Sequence, residues 1–268
     1  MSSAPILDHK DPAAPSVFEP TALLREARRQ KGLAAAEVPA VCILDPDGDI
    51  VRSLRKSGQA RLSESWPCYH TELYAFALAG QTAGIIGCAV GAPFAVLVAE
   101  QLFASGCRLL VSVTSAGQIT PIGPTPYFVL IDRALRDEGT SYHYLPGSTF
   151  AEAPDAPLLA RVEQMGRALP GITLHRGATW TTDAPYRETE AAIARARDLG
   201  MLAVEMEAAA LYAFSATSSC SIICFAHVTN AMAQTEGDFE KGEADGAKAT
   251  LAIVSAAVRG WSATPAPS

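Results

Sequence analysis

The sequence predicts a single α/β domain with a central mixed, mostly parallel sheet flanked by helices, and three observations support this. Apolar runs of strand length alternate with segments of helical spacing along most of the chain. The 268 residues suffice for one core, which can grow to about 250–300 residues before chains divide. Hydrophobic residues make up 49% and charged residues 18%, a balance that fills a core and leaves little for extended disorder.

Residues 1–17 contain Pro5, Pro12 and Pro15 and carry charges where a signal peptide needs an apolar run, so they read as a flexible N-terminal arm. FEPTALLREARRQK at 18–31 has amphipathic helical spacing, and Val41 to Leu44 is a short strand ending at the turn-forming Asp45-Pro46-Asp47-Gly48-Asp49. Leu73 to Ala99 is uncharged and long enough to span a bilayer, but Gly80-Gln81-Thr82 and Gly91-Ala92-Pro93 punctuate it. A helix, a turn, a buried strand from Ala83 to Val90 and a second helix stopping at Gly106 fit better. Strands are expected at Leu109 to Val113, Tyr127 to Ile131, 172–180 and 221–229, and helices at 156–168, 187–199, 205–217 and 244–259. The domain therefore spans 18–261, followed by a disordered tail at 262–268.

Acidic side chains number 28 and basic ones 21, so the net charge of −7 opposes nucleic acid, and no membrane partner is indicated. Cys42, Cys68, Cys88, Cys107, Cys220 and Cys224 lie singly in apolar segments without ligand spacing, which reads as buried thiols in a reducing cytoplasm. A calcium loop counted from Asp45 would put Ile50 where glycine belongs and Lys56 where the bidentate glutamate belongs. There is no GxGxxG or GxxxxGK[ST] for a nucleotide and no GxSxG elbow. His9, His70, His143, His175 and His227 lack metal spacing, so no metal and no organic cofactor is expected. Among them His143, between Tyr142 and Tyr144, is a candidate pocket residue, with simple packing as the alternative.

The most informative stretch is VEMEAAALYAF at 204–214, where Glu205 and Glu207 flank Met206 at the opening of a helix of small residues. Both glutamates could merely favour the positive helix N-terminus, worth about 0.3–1 kcal/mol each. A carboxylate is also an acceptor suited to paired sugar hydroxyls.

This stretch resembles the ribose-binding motif of the nucleoside phosphorylase superfamily, whose members include uridine and purine nucleoside phosphorylases. The resemblance covers roughly residues 40–260. It implies that Glu207 binds the ribose hydroxyls, Met206 packs on the sugar and Glu205 supports from behind. GATWTTDAPYRET at 177–189 and RDEGTSYHYLP at 136–146 resemble the family's base-side and pocket loops. There Arg187 and Glu188 offer a donor fork and an acceptor to a heterocycle, or cap the following helix; Thr181 and Thr182 add hydroxyls, and Trp180 or Tyr186 could stack. SVTSAGQI at 112–119 is similar to the strand-end loop that contacts phosphate, implicating Thr114 and Ser115, and VGAPFAVLVAEQL at 90–102 to the helix start at Gly91 that frames the same pocket.

Two departures matter. The family's Gly-Asp-Pro segment with a nearby arginine is replaced by the Asp45–Asp49 run, and its second arginine by Leu109-Leu110-Val111. Three carboxylates would repel a dianion if all lined the pocket; Arg52, Arg55, Arg133 and Arg136 are nearby in sequence. Asn230, where purine-cleaving relatives often have an aspartate, can hydrogen-bond the leaving base but cannot protonate it, which favours uracil or 6-oxopurine nucleosides. The implied activity is displacement at the anomeric carbon by phosphate, with Glu207, Asn230 and Arg187 carrying catalysis and phosphate weakly held as co-substrate. Hydrolysis by water, or a silent nucleoside-binding protein, are the alternatives. The resemblance also implies a homo-oligomer, a dimer or hexamer, with Trp66-Pro67-Cys68-Tyr69 and His70 as candidates for the shared edge.

Overall fold

In the computed structural model, which describes residues 5–8, 10–232 and 236–263, the chain begins with α1 (Pro20–Lys31), β1 (Val41–Asp45), α2 (Asp49–Lys56), β2 (Arg61–Leu62), β3 (Tyr74–Leu78) and β4 (Gln81–Gly87). The middle holds α3 (Ala92–Ala104), β5 (Leu109–Gln118), β6 (Tyr127–Asp137), β7 (Phe150–Glu152), α4 (Ala156–Arg167) and β8 (Leu174–Thr182). It ends with α5 (Glu190–Asp198), β9 (Met201–Glu205), α6 (Ala208–Ser218), β10 (Ser221–Asn230) and α7 (Ala247–Ser262).

The sheet runs β10-β6-β8-β9-β5-β1-β4-β3-β2, with β7 added beside β6, and a further pairing of β10 with β5 closes five strands into a barrel. Closure removes the sheet edges those strands would otherwise present. The sheet is mixed, as expected; its two longest ladders, β10 with β5 and β6 with β8, are parallel, whereas β9 meets β5 antiparallel. β5 serves as the seam. Its first half pairs with β1 as far as Leu44 opposite Ser112, and its end pairs with β9 from Gly117 opposite Val204. Thr114, Ser115 and Ala116 lie between, where β1 has left and β9 has not yet arrived.

One face of the sheet packs on α3 and α6, the other on α2, α4 and α7. α6 is buried from Ala208 to Ser215 because its alanines let it lie close to both sheet and α3. Tyr212 within it donates to the Ile131 carbonyl at 2.6 Å, satisfying a hydroxyl that has no access to water.

Several expectations are corrected. The helix expected from Leu73 is instead β3, hairpinned to β4 through Ala79 and Gly80 at φ 48° and 81°, a turn that needs left-handed backbone. α2 was not foreseen: Gly48, at φ 75°, reverses the chain after β1, and Ile50, Val51 and Leu54 then face the core at helical spacing. The short β2 and β7 were likewise not foreseen. Thr114 and Ser115 belong to β5 rather than to a loop after it. The helix expected from residue 205 begins at Ala208, and that expected from 187 begins at Glu190, where the Thr189 hydroxyl accepts from the Ala192 N–H at 3.2 Å. Cys88 is exposed and Cys220 half-buried; the other four thiols are buried. In the N-terminal arm, Pro5–Leu7 forms one helical turn. α7 runs into the expected tail as far as Ser262; His9 and residues 264–268 lie outside the described residues. No described helix is long and apolar enough to cross a membrane.

Candidate active site

The β5 seam draws together distant residues. Parallel pairing with β10 puts Ala226 opposite Thr114, His227 opposite Ser115 and Asn230 opposite Gly117. The antiparallel β9 delivers Glu205 and, at its end, Met206 and Glu207. β1 delivers the Asp45–Asp49 loop, and β4 the start of α3 at Gly91.

Glu205 is committed to the protein. One carboxylate oxygen accepts from the Thr179 and Thr181 hydroxyls at 3.1 and 2.5 Å, the other from the Glu207 and Ala208 N–H groups, both at 2.7 Å. It thus caps α6 from upstream, in place of the residue at the cap position, and lies where the helix dipole favours negative charge. With four donors on it, Glu205 has no acceptor to spare for direct sugar contact.

Glu207 contrasts with it. Only 1% exposed, it accepts on Oε1 from the Gly91 N–H at 2.7 Å, has the Thr114 hydroxyl near enough to favour its charged form, and leaves its buried Oε2 without a partner in hydrogen-bond range. Burial pushes its carboxyl up to about 8, with the neighbouring Glu205 charge adding to the rise. Burial raises the Glu205 carboxyl too, against its four donors, which favour the charged form. Gly91 holds φ 89°, a left-handed conformation that aims its N–H at Glu207 and that a side chain would disfavour. Met206, half-buried between the two carboxylates, supplies an apolar wall.

On the other side of β5, Asp47 takes up the donors of Ser115. Its Oδ2 accepts from the Ser115 N–H at 2.9 Å and its Oδ1 from the Ser115 hydroxyl at 2.8 Å. Asp45, 2% exposed, accepts from the Gly48 and Val51 N–H groups at 3.1 and 2.9 Å, and burial raises its carboxyl to about 7. Asp49 is paired with Lys241 and Arg52, and Lys241 also lies 3.8 Å from Asp47. All three carboxylates line one small cavity with Thr114, Ser115, His227 and Lys241. His227 stacks on Phe128 at 4.4 Å, and burial lowers its pKa to about 4, so it is neutral. Sequence reasoning missed Lys241 because nothing at residue 241 signals a partner near residue 49; only the fold joins them.

Other expected residues lie elsewhere or are already engaged. Thr181 bridges Glu205 and the Ala209 N–H, and Thr182 accepts from the Ala184 N–H at 3.1 Å. Tyr186 is 98% exposed and Arg187 is exposed, so neither reaches into the seam. Glu188 is half-buried, its carboxyl raised to about 7 by burial. Trp180 is buried and donates to Asp137 at 3.0 Å. His143 is exposed, 3.3 Å from the Lys10 amine. Asp183 accepts from the Gly139 N–H at 2.9 Å and so fixes a turn. Asn230 is buried beside Gly117, its amide oxygen accepting from the Met232 N–H at 2.9 Å and its nitrogen donating to the Thr229 hydroxyl at 3.2 Å.

The arginines do not restore an anion site. Arg136 is buried and spends its donors on Ser141, Ser148 and the carbonyls of Leu145 and Pro146. Arg55 lies over Tyr74 and Arg133 over Phe150, while Arg52 pairs with Asp49. Among the described residues no group of three or more His, Cys, Asp or Glu side chains is arranged to hold a metal ion. The larger cavities, about 660 and 530 Å³, lie away from the seam, one beside Arg136, Trp180 and Arg195 and one beside Phe18, Leu97 and Tyr144.

Residues 40–259 match the pattern of the Phosphorylase superfamily, and the chain belongs to that family. A DeoD-type purine nucleoside phosphorylase of Bacillus cytotoxicus is 29% identical over 138 residues, 51% of this chain and 58% of that protein. An uncharacterized protein of Acanthamoeba polyphaga mimivirus is 27% identical over 140 residues, 52% of this chain and 53% of that one. The chain thus matches little more than half the length of these relatives. A crystal structure of uridine phosphorylase from Vibrio fischeri, complexed with 6-hydroxy-1-naphthoic acid, superposes with a TM-score of 0.70 at 19% identity, covering 85% of this chain and 97% of that one. The fold is therefore that of the nucleoside phosphorylases.

Proposed function

We propose that the protein cleaves the N-glycosidic bond of a ribonucleoside, with the ribose held by Glu207 and Met206. The observation that carries this is the unpartnered Oε2 of Glu207, a buried polar atom at the start of α6. Leaving such an atom unpaired costs about 1–3 kcal/mol, and a sugar hydroxyl would recover it. Asn230 sits at the neighbouring strand end, where its amide can hold a departing base without protonating it, which suits uracil or 6-oxopurine bases. Positioning and electrostatics supply the catalysis, without an organic cofactor.

Membership in a phosphorylase family supports phosphate as acceptor. The reading with water as acceptor has an observation of its own, the carboxylate of Asp47 on Ser115. Assembly as a homo-oligomer is also proposed. Trp66 and Cys68 are core residues, but Tyr69 and His70 are exposed, and His70 packs edge-on to Phe94 at the start of α3, three positions from Gly91. A second copy there would cover the site's rim; light scattering that finds only monomer at micromolar concentration contradicts it. The six thiols suit a reducing cytoplasm.

The test of the cleavage reading is base release from uridine, inosine and adenosine, followed by chromatography. Uridine or inosine should react faster than adenosine. Release from none of the three overturns the proposal.

A further inference from the structure

We infer that Asp47 is a built-in substitute for phosphate: its carboxylate fills the anion cradle of β5, so that water is the acceptor and the protein is a hydrolytic nucleosidase. The inference rests on the cleavage reading above and deepens it by naming the acceptor.

The geometry is that of an occupied anion site. An N–H and a hydroxyl from the same residue, Ser115, reach the two oxygens of Asp47 at 2.9 and 2.8 Å, as they would reach two oxygens of a phosphate. The second donor expected to face an anion, the Gly91 N–H at the start of α3, is taken by Glu207 at 2.7 Å. Both donor sets therefore already hold carboxylates of the chain itself.

Space and charge agree. The cavity shared by Asp45, Asp47, Thr114, Ser115, His227 and Lys241 has a volume of about 10 Å³, room for about one water and too little for phosphate. The cations at its edge, Lys241 and Arg52, are both paired with Asp49. His227 is neutral and offers no charge. To enter, phosphate would have to expel Asp47 from two hydrogen bonds and then face four aspartates, Asp45, Asp47, Asp49 and Asp245.

The reaction balances with water alone. The water oxygen bonds to the anomeric carbon as the bond to the base nitrogen breaks and its electron pair leaves with the base. The water gives up one proton and the base nitrogen gains one through solvent, so the products are free ribose and neutral base.

The experiment has two arms. In the first, the full chain is incubated with uridine, inosine and adenosine in ¹⁸O-labelled water across a phosphate series. Base release at a rate independent of phosphate, with label in free ribose, is expected. Ribose 1-phosphate formed in proportion to phosphate overturns the inference while leaving the cleavage reading intact; release of no base at all overturns both. In the second arm, inorganic phosphate is titrated calorimetrically into wild type, Asp47→Ala and Asp47→Asn, the last keeping the shape while removing the charge. Removing a like charge from the cradle should tighten phosphate binding at least about tenfold in both variants. Phosphate binding to wild type as tightly as to the variants overturns the role of Asp47 whatever the activity shows.

Discussion

Two acidic segments flank strand β5 and treat their carboxylates in opposite ways. In the loop after β1 every carboxylate finds donors: Asp45 two backbone amides, Asp47 both groups of Ser115, Asp49 a lysine and an arginine. At the junction of β9 and α6, Glu205 gathers four donors while Glu207, two residues on, receives the Gly91 N–H and leaves an oxygen unpartnered in a dry environment. The difference teaches that donor supply, rather than residue type or motif position, decides which carboxylate is structure and which is available to a ligand. The anion side of the seam is satisfied internally; the sugar side is not.

The largest stability effect should come from the saturated carboxylate. Glu205→Ala strands two hydroxyls and two N–H groups in the core and is expected to lower stability by about 3–5 kcal/mol, read as a shift of the denaturation midpoint. A loss below about 1 kcal/mol would mean that the four hydrogen bonds are not what holds α6 in place.

The unsaturated carboxylate should instead reveal itself through pH. Glu207 titrates at about 8 in the folded protein and, as an ordinary carboxyl, near 4.5 when unfolded. The folded state therefore holds the proton more tightly, and the stability this contributes is complete below pH 4.5 and lost as pH rises through about 8. Asp45, raised to about 7, acts in the same direction. His227 has the opposite sign, its contribution being lost as pH falls from about 6.5 toward 4, so it is silent above neutrality. Melting temperature should fall between about pH 6.5 and 8 and level off above that, and Glu207→Gln should flatten the fall; an unchanged slope in the variant would assign the titration to another group.

The smallest effect is expected at Asp183, whose carboxylate fixes an exposed turn through Gly139. Asp183→Asn keeps an acceptor for that N–H and should change stability by less than about 0.5 kcal/mol, with the rate of base release unchanged. A large loss of rate would place the 139–144 turn in the site and weaken the contrast between the two sides of β5.

Much of the fold was legible because its signals are local. Apolar runs and helical spacing located β1, α1, α3, α4 and β10, and their alternation along the chain predicted the mixed sheet. The misreadings have physical causes. β3 carries so little polarity that its period-two pattern is nearly invisible, and the length of β5 depends on β9, a partner far away in sequence. At the site, the pair Glu205 and Glu207 was legible as a motif, but their division of labour was not, because the four donors on Glu205 include hydroxyls from β8. The crowding of Asp45, Asp47 and Asp49 could be read as hostile to phosphate. That Asp47 itself takes up the Ser115 donors, and that Lys241 balances the cluster, appears only when β1, β5 and the segment after β10 are brought together.

The central claim, that the open oxygen of Glu207 is where the sugar is held, is tested most directly by the turnover of Glu207→Gln on a nucleoside that wild type cleaves. A folded variant with turnover at least ~100-fold lower is predicted, since the carboxyl can give up its proton to accept from the ribose hydroxyls and the amide cannot. Turnover within a few-fold of wild type would contradict the account and remove Glu207 from the site.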